Sequence, residues 1–144
     1  VLGIDLSPEM VRWATQLNPG LEFRVGDMRS LDLPDASLAG IVAFYSIIHF
    51  SPQELGDALR ELHRVLTSNG VLLLSFHAGD TTLHLDELWG QAVSLDFRFL
   101  VPGEVIASLQ SAGFAVTEST EREPYAGAEY PSRRCYLFAR ATSP

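Results

Sequence analysis

The chain has 144 residues, 47% of them hydrophobic and 19% charged, with a formal net charge of −8. That is enough for one domain, residues 1–144, with a sizeable core, and it excludes a disordered chain; no window of membrane-spanning length lacks a charge or a helix breaker. The negative charge argues against nucleic acid, whose phosphates require clustered cations, and the single cysteine, Cys135, excludes an internal disulfide and a multi-cysteine zinc site, in keeping with a reducing cytoplasm.

Residues 1–4 form an apolar run that stops at Asp5, which predicts a strand. Ser7 before Pro8 marks a helix start: the hydroxyl accepts from an orphan amide, and proline suits the first helical position. Met10, Val11, Ala14 and Leu17 follow at helical spacing until Asn18-Pro19-Gly20 ends the run. Residues 21–25 read as a second strand closing on the turn Gly26-Asp27-Met28. Residues 29–40 lack a period and read as a loop. Residues 41–45 are continuously apolar, as in a strand buried on both faces.

Ser51-Pro52-Gln53-Glu54 is the strongest local signal, a cap, an N-terminal proline and a glutamate placed to complete a capping box. Leu55, Ala58, Leu59, Leu62, Val65 and Leu66 give the apolar stripe, with Asn69-Gly70 expected to supply the left-handed stop. Residues 71–76 are again continuously apolar, so strand, helix and strand make a right-handed parallel crossover. From 77 to 100 periodicity fades while large side chains persist, which suggests a lid-like loop. Residues 102–112 read as a helix stopped by Gly113, without an acceptor at Val101 to cap it. Residues 114–119 and 135–140 read as two closing strands.

Ligands of open parallel sheets bind outside the carboxyl ends of the strands, so Asp5, Asp27 and the segment 45–49 are expected on one rim. A carboxylate at Asp5 suits the ribose hydroxyls of an adenosine-type ligand, although a helix-start carboxylate looks the same. His49 stands close to where an acceptor would sit and titrates near neutrality, which makes it the candidate base; a histidine satisfied by backbone is the alternative. His49, Trp89, Tyr125 and Tyr130 are candidates for a substrate pocket, whereas Phe97 and Phe99 fit a core equally well. His77, His84 and Asp86 lack a metal-ligand spacing, so no metal is expected. His63 reads as a surface residue. Arg133 and Arg134 are expected to pair with Glu121, Glu123 or Glu129.

The opening GIDLSPEM, the Gly26-Asp27-Met28 turn and the PQELGDALRELHRVL helix resemble the class I, Rossmann-like S-adenosylmethionine-dependent methyltransferases, in particular their small-molecule branch. The resemblance implies an α/β fold: a mostly parallel sheet with helices on both faces and an antiparallel C-terminal strand, from which a segment such as 120–134 returns over the rim. It implies S-adenosylmethionine as cofactor and a small-molecule acceptor. Asp5 would then hold the ribose, Asp27 and the Met28 amide the adenine edge, and Leu6 and Met10 the adenine faces. Tyr45 and Ser46 would lie where a backbone carbonyl meets the cofactor's ammonium group. The family's first strand and glycine-rich turn are missing, which suggests a fragment with two outcomes: its flanking strands close up and pair with each other, the favoured one, or the slot between them stays open. A dinucleotide-dependent oxidoreductase and a non-catalytic nucleoside-binding domain remain the alternatives.

Overall fold

The computed structural model describes residues 1–88 and 90–143. In chain order these form β1 (Leu2–Asp5), α1 (Pro8–Leu17), β2 (Glu22–Val25), β3 (Leu38–Phe44), a 3-10 turn (Ile47–His49), α2 (Pro52–Val65), β4 (Leu66–His77), β5 (Thr82–Leu88), β6 (Gln91–Arg98), α3 (Pro102–Ser111), β7 (Phe114–Arg122) and β8 (Arg134–Ala141). β1 and β2 form a parallel pair, β3-β4-β8-β7 form a sheet with β3 parallel to β4 and β8 antiparallel to both its neighbours, and β5-β6 form an antiparallel hairpin. Among the described residues no helix is long and apolar enough to cross a membrane.

The core lies on one face of the four-stranded sheet. Leu72, Leu74, Phe76, Leu137 and Cys135 project from β4 and β8 against Leu55, Leu59 and Leu62 of α2 and Val105 and Leu109 of α3, all of them buried. Each large side chain so buried contributes about 1.5–3 kcal/mol. α2 starts as its sequence requires: Ser51 Oγ accepts from the Glu54 amide at 3.4 Å, and a Glu54 carboxylate oxygen accepts from the Ser51 amide at 2.9 Å.

Five expectations are corrected. α2 ends at Val65, and Asn69-Gly70 sits inside β4, where Asn69 takes φ +62° at an irregularity in the β3–β4 register. The β-branched and leucine-rich run after Val65 pairs with β3 and wins over continued helix. The stretch 77–100 is no loop: it carries the hairpin β5-β6, turned at Gly90 with φ +77°. The strand at 41–45 begins earlier, at Leu38, and is covered on one face only, leaving Val42 66% and Phe44 50% exposed. His63 is packed rather than superficial. Its Nε2 meets the Thr142 carbonyl oxygen at 3.1 Å, and its ring stands edge-on to Phe114 and fills the space a side chain would need at Gly113, which has φ +91°. Finally, the strands flanking the expected gap stay apart: β1 pairs with β2 and β3 with β4, and β1 and β3 do not pair with each other.

What holds the β1-α1-β2 unit beside the larger sheet is the segment from Asp27 to Ser37, fastened along α2. Arg29 Nη1 donates to Glu54 at 2.6 Å, the Leu31 amide donates to Glu61 at 2.7 Å, and Arg64 donates to Asp35 and to the carbonyl oxygens of Leu31 and Leu33. Backbone bonds from Ala36 to Arg64 and from Ser37 to Val65 complete the attachment.

Candidate active site

β1 and β2 run in register, Asp5 opposite Val25, so both finish at the same rim. Asp5 follows directly from the strand: one carboxylate oxygen accepts from the Ser7 amide at 2.8 Å, which leaves the second oxygen free for a ligand. The next residues explain their own exposure poorly in terms of folding. Leu6 is 66% and Met10 53% exposed, two largely uncovered apolar side chains close in sequence to a carboxylate.

Asp27 is gripped by Arg29, whose Nε and Nη2 donate to its two oxygens at 3.0 and 2.6 Å, while the Arg29 amide adds a bond at 2.8 Å. The guanidinium and that amide hold the Asp27 carboxyl below the usual carboxylate range. The same arginine reaches Glu54 in the first turn of α2 and lies over the Phe50 ring at 5.7 Å. Asp27 is thereby tied through Arg29 to the first turn of α2, the helix that follows β3. Met28 packs against the core cluster.

At the end of β3 the backbone of Tyr45 turns to φ +52°, while its amide donates to the Ser75 carbonyl at 2.9 Å. A bulky residue in that left-handed region is strained. The turn sends the ring onto His77 at 4.9 Å, and burial followed by the neighbouring Tyr136 raises the phenol's pKa. The Ser46 hydroxyl donates to the Phe44 carbonyl at 3.2 Å. His49 is exposed; its Nδ1 meets the Asp96 carbonyl oxygen of β6 at 2.9 Å and its ring stands edge-on to Phe97 at 4.8 Å. A carbonyl accepts only, so Nδ1 carries the proton and Nε2 is left as a lone pair.

Of the other candidates, Tyr130 comes to this rim, 6.1 Å from His77 and from Phe99. Tyr125 does not join them: its ring lies under Arg122 at 4.5 Å. Trp89 lies outside the described residues. Arg133 and Arg134 are engaged internally, with Glu121 and Glu129 respectively. Glu129 accepts from both Nη atoms of Arg122 at 2.8 Å and from the Tyr125 amide, which lowers its pKa to about 2. The residue that sequence reasoning passed over is His77. It ends β4, a strand end like the one that singles out Tyr45, and that position is the available signal.

A parallel α/β arrangement with acids at successive strand ends defines a nucleotide-type site of the Rossmann-like class. The family model described as a methyltransferase domain matches residues 1–74, half of the chain, and the chain belongs to that family, the class I S-adenosylmethionine-dependent methyltransferases. A malonyl-[acyl-carrier protein] O-methyltransferase of Serratia marcescens is 33% identical over 91 residues, 63% of this chain and 35% of that protein. The chain therefore matches about a third of the length of that curated relative. Among solved structures, an S-adenosylmethionine-dependent methyltransferase of Methanosarcina mazei superposes with a TM-score of 0.87 at 18% identity, over 100% of this chain and 82% of that one. A Burkholderia thailandensis 1,6-didemethyltoxoflavin-N1-methyltransferase, solved with its acceptor and S-adenosylhomocysteine, gives 0.74 at 22% identity over 99% and 61%. These two likenesses show the fold.

Proposed function

We propose that this chain forms most of the catalytic domain of an enzyme that transfers a methyl group from S-adenosylmethionine to a small molecule. The observation that carries the reading is the convergence of Asp5 and Asp27 on one rim, with Leu6 and Met10 left uncovered between a free carboxylate oxygen and solvent. The free oxygen of Asp5 takes the ribose hydroxyls, Asp27 and Met28 take the adenine edge, and Leu6 and Met10 cover its faces. Tyr45 and Ser46 border the amino-acid end. Bound there, the cofactor supplies a methyl carbon activated by a positively charged sulfur, and the protein's part is to align an acceptor with it. His49, with an available Nε2, stands on the acceptor side. The gap between β1 and β3 is where a further strand would complete the floor of the site. The acidic surface suits a small acceptor in the cytoplasm rather than a polyanion.

Calorimetric titration of the parent protein with S-adenosylhomocysteine and, separately, with NAD tests this. Binding of the first and not the second is expected; NAD binding alone would replace the reading with a dinucleotide enzyme, and silence with both would leave a scaffold without a cofactor.

A further inference from the structure

His77 lies half-buried where β4 ends, and three aromatic rings surround it. Tyr45 stands 4.9 Å away, Phe99 5.3 Å and Tyr130 6.1 Å, centroid to centroid. Its Nδ1 meets the Ser132 hydroxyl at 2.7 Å, and Ser132 is itself buried. The hydroxyl is held by its own backbone: Arg134, 4% exposed, donates from Nη1 to the carbonyl oxygens of Ser132 at 2.6 Å and Tyr130 at 3.1 Å. One buried guanidinium thus fixes both the partner of His77 and the ring that faces it. No bond occupies Nε2 among the described residues. Tyr130 is 54% exposed, so one wall of this aromatic cluster faces solvent.

We infer that His77 Nε2 is the proton-accepting atom for the methyl acceptor, and that the acceptor is a planar, hydroxylated conjugated molecule seated against Tyr45, Phe99 and Tyr130. The inference rests on the methyl-transfer reading above. Flat rings favour flat ligands through offset or edge-on contact, and a phenol or enol O–H carries a proton that must leave as the oxygen is methylated. The balance is complete. The acceptor's O–H proton passes to Nε2, an oxygen lone pair forms the C–O bond, and the C–S pair returns to sulfur as neutral S-adenosylhomocysteine; imidazolium then releases its proton to water.

The charges around the ring support a neutral base at neutral pH. Burial, then the charge of Arg134 on β8, pull the His77 pKa below its ordinary value, with Glu129 opposing. Tyr45 and Tyr130 are the other titratable groups facing it. Compared with His49, which is exposed and tied to a hairpin, His77 has a base's environment on all sides.

Nitrogen-15 spectra of the histidine rings in the parent protein, with His77 assigned by its disappearance in His77→Gln, test the claim without turnover. A proton on Nδ1 and a bare Nε2 are expected at pH 8, and addition of 2-naphthol, but not cyclohexanol, shifts the His77 signals. A proton resident on Nε2, or no shift with naphthol, overturns the inference. The activity arm follows S-adenosylhomocysteine formed from 2-naphthol. His77→Gln should lose about 100-fold in kcat/KM while S-adenosylhomocysteine binding stays unchanged, and the acid limb expected of wild type, displaced below the ordinary histidine range, should disappear. Ser132→Ala, which keeps the imidazole, should retain that limb with a smaller loss. Failure of S-adenosylhomocysteine to bind wild type would sink the methyl-transfer reading; binding with an undisturbed His77 would sink this one.

Discussion

At the residue scale the site divides into groups that were visible as strand ends and groups that needed three dimensions. Asp5 is the simplest, with one oxygen turned to the Ser7 amide and one free. Asp5→Ala in the parent protein should weaken S-adenosylhomocysteine binding by roughly 1.5–3 kcal/mol, the worth of hydrogen bonds to a charged acceptor, in calorimetric titration; unchanged affinity would reduce Asp5 to a helix-start carboxylate. Asp27 was equally legible, but its grip by Arg29 was not, because nothing in a dipeptide spacing says that the arginine also reaches α2. Glu129 illustrates linkage. Its folded pKa of about 2, set by Arg122 and then by the Tyr125 amide, lies below the ordinary glutamate value of 4.5. Its contribution to stability is therefore full above that ordinary value and is lost as pH falls toward 2. Thermal melts of wild type and Glu129→Gln should differ at pH 6 and converge by pH 2; parallel curves throughout would show the pair to be idle. His77 is legible only as a strand end, because Ser132 and the rings around it come from segments distant in sequence.

Elements with a local cause were read correctly from the chain, and those decided by pairing were not. Ser51, Pro52 and Glu54 state the start of α2 in four residues, and the structure repeats the statement bond by bond. Ser51→Ala should cost about 1 kcal/mol and lower the urea midpoint with an unchanged slope. A larger loss is expected for Glu54→Ala, since that carboxylate closes the capping box and anchors Arg29 as well. Equal midpoints for the two variants would mean that the Arg29 attachment holds nothing. The end of α2 was misplaced because Asn69-Gly70 looks the same to sequence whether it stops a helix or bends a strand; pairing of Leu38 with Leu66 decided it. The β5-β6 hairpin had a faint signal in Leu83 and Leu85, and in Val93, Leu95 and Phe97, each set alternating. Each set is short, and Asp86-Glu87 breaks the first where the register shifts.

At the scale of the whole molecule the chain is two assemblies side by side, and the gap between them is the expectation that failed most instructively. Closing up would have satisfied the backbone edges of β1 and β3, but the attachment of residues 27–37 along α2 fixes where β2 ends and so keeps β1 away from β3. Two unpaired edges remain. The apolar side chains nearby are uncovered as well: Val42 and Phe44 on β3, with Met10, Trp13 and Leu17 on α1, where no residue is buried. An element so placed is held by a few polar bonds rather than by a core, and its opening free energy is correspondingly small. Amide exchange of residues 1–144 should therefore be at least ~100-fold faster over 2–25 than over 71–76 and 135–140, a difference of about 2.7 kcal/mol in opening free energy. Arg64→Ala, which removes the clasp on Leu31, Leu33 and Asp35, should speed exchange over 2–25 further while leaving β4 and β8 untouched. A strand added between β1 and β3 should slow the amides of both edges together. Uniform protection across residues 1–144 alone would show that the β1-α1-β2 unit folds as one body with the larger sheet, and the gap would then be a stable feature rather than a place awaiting a strand.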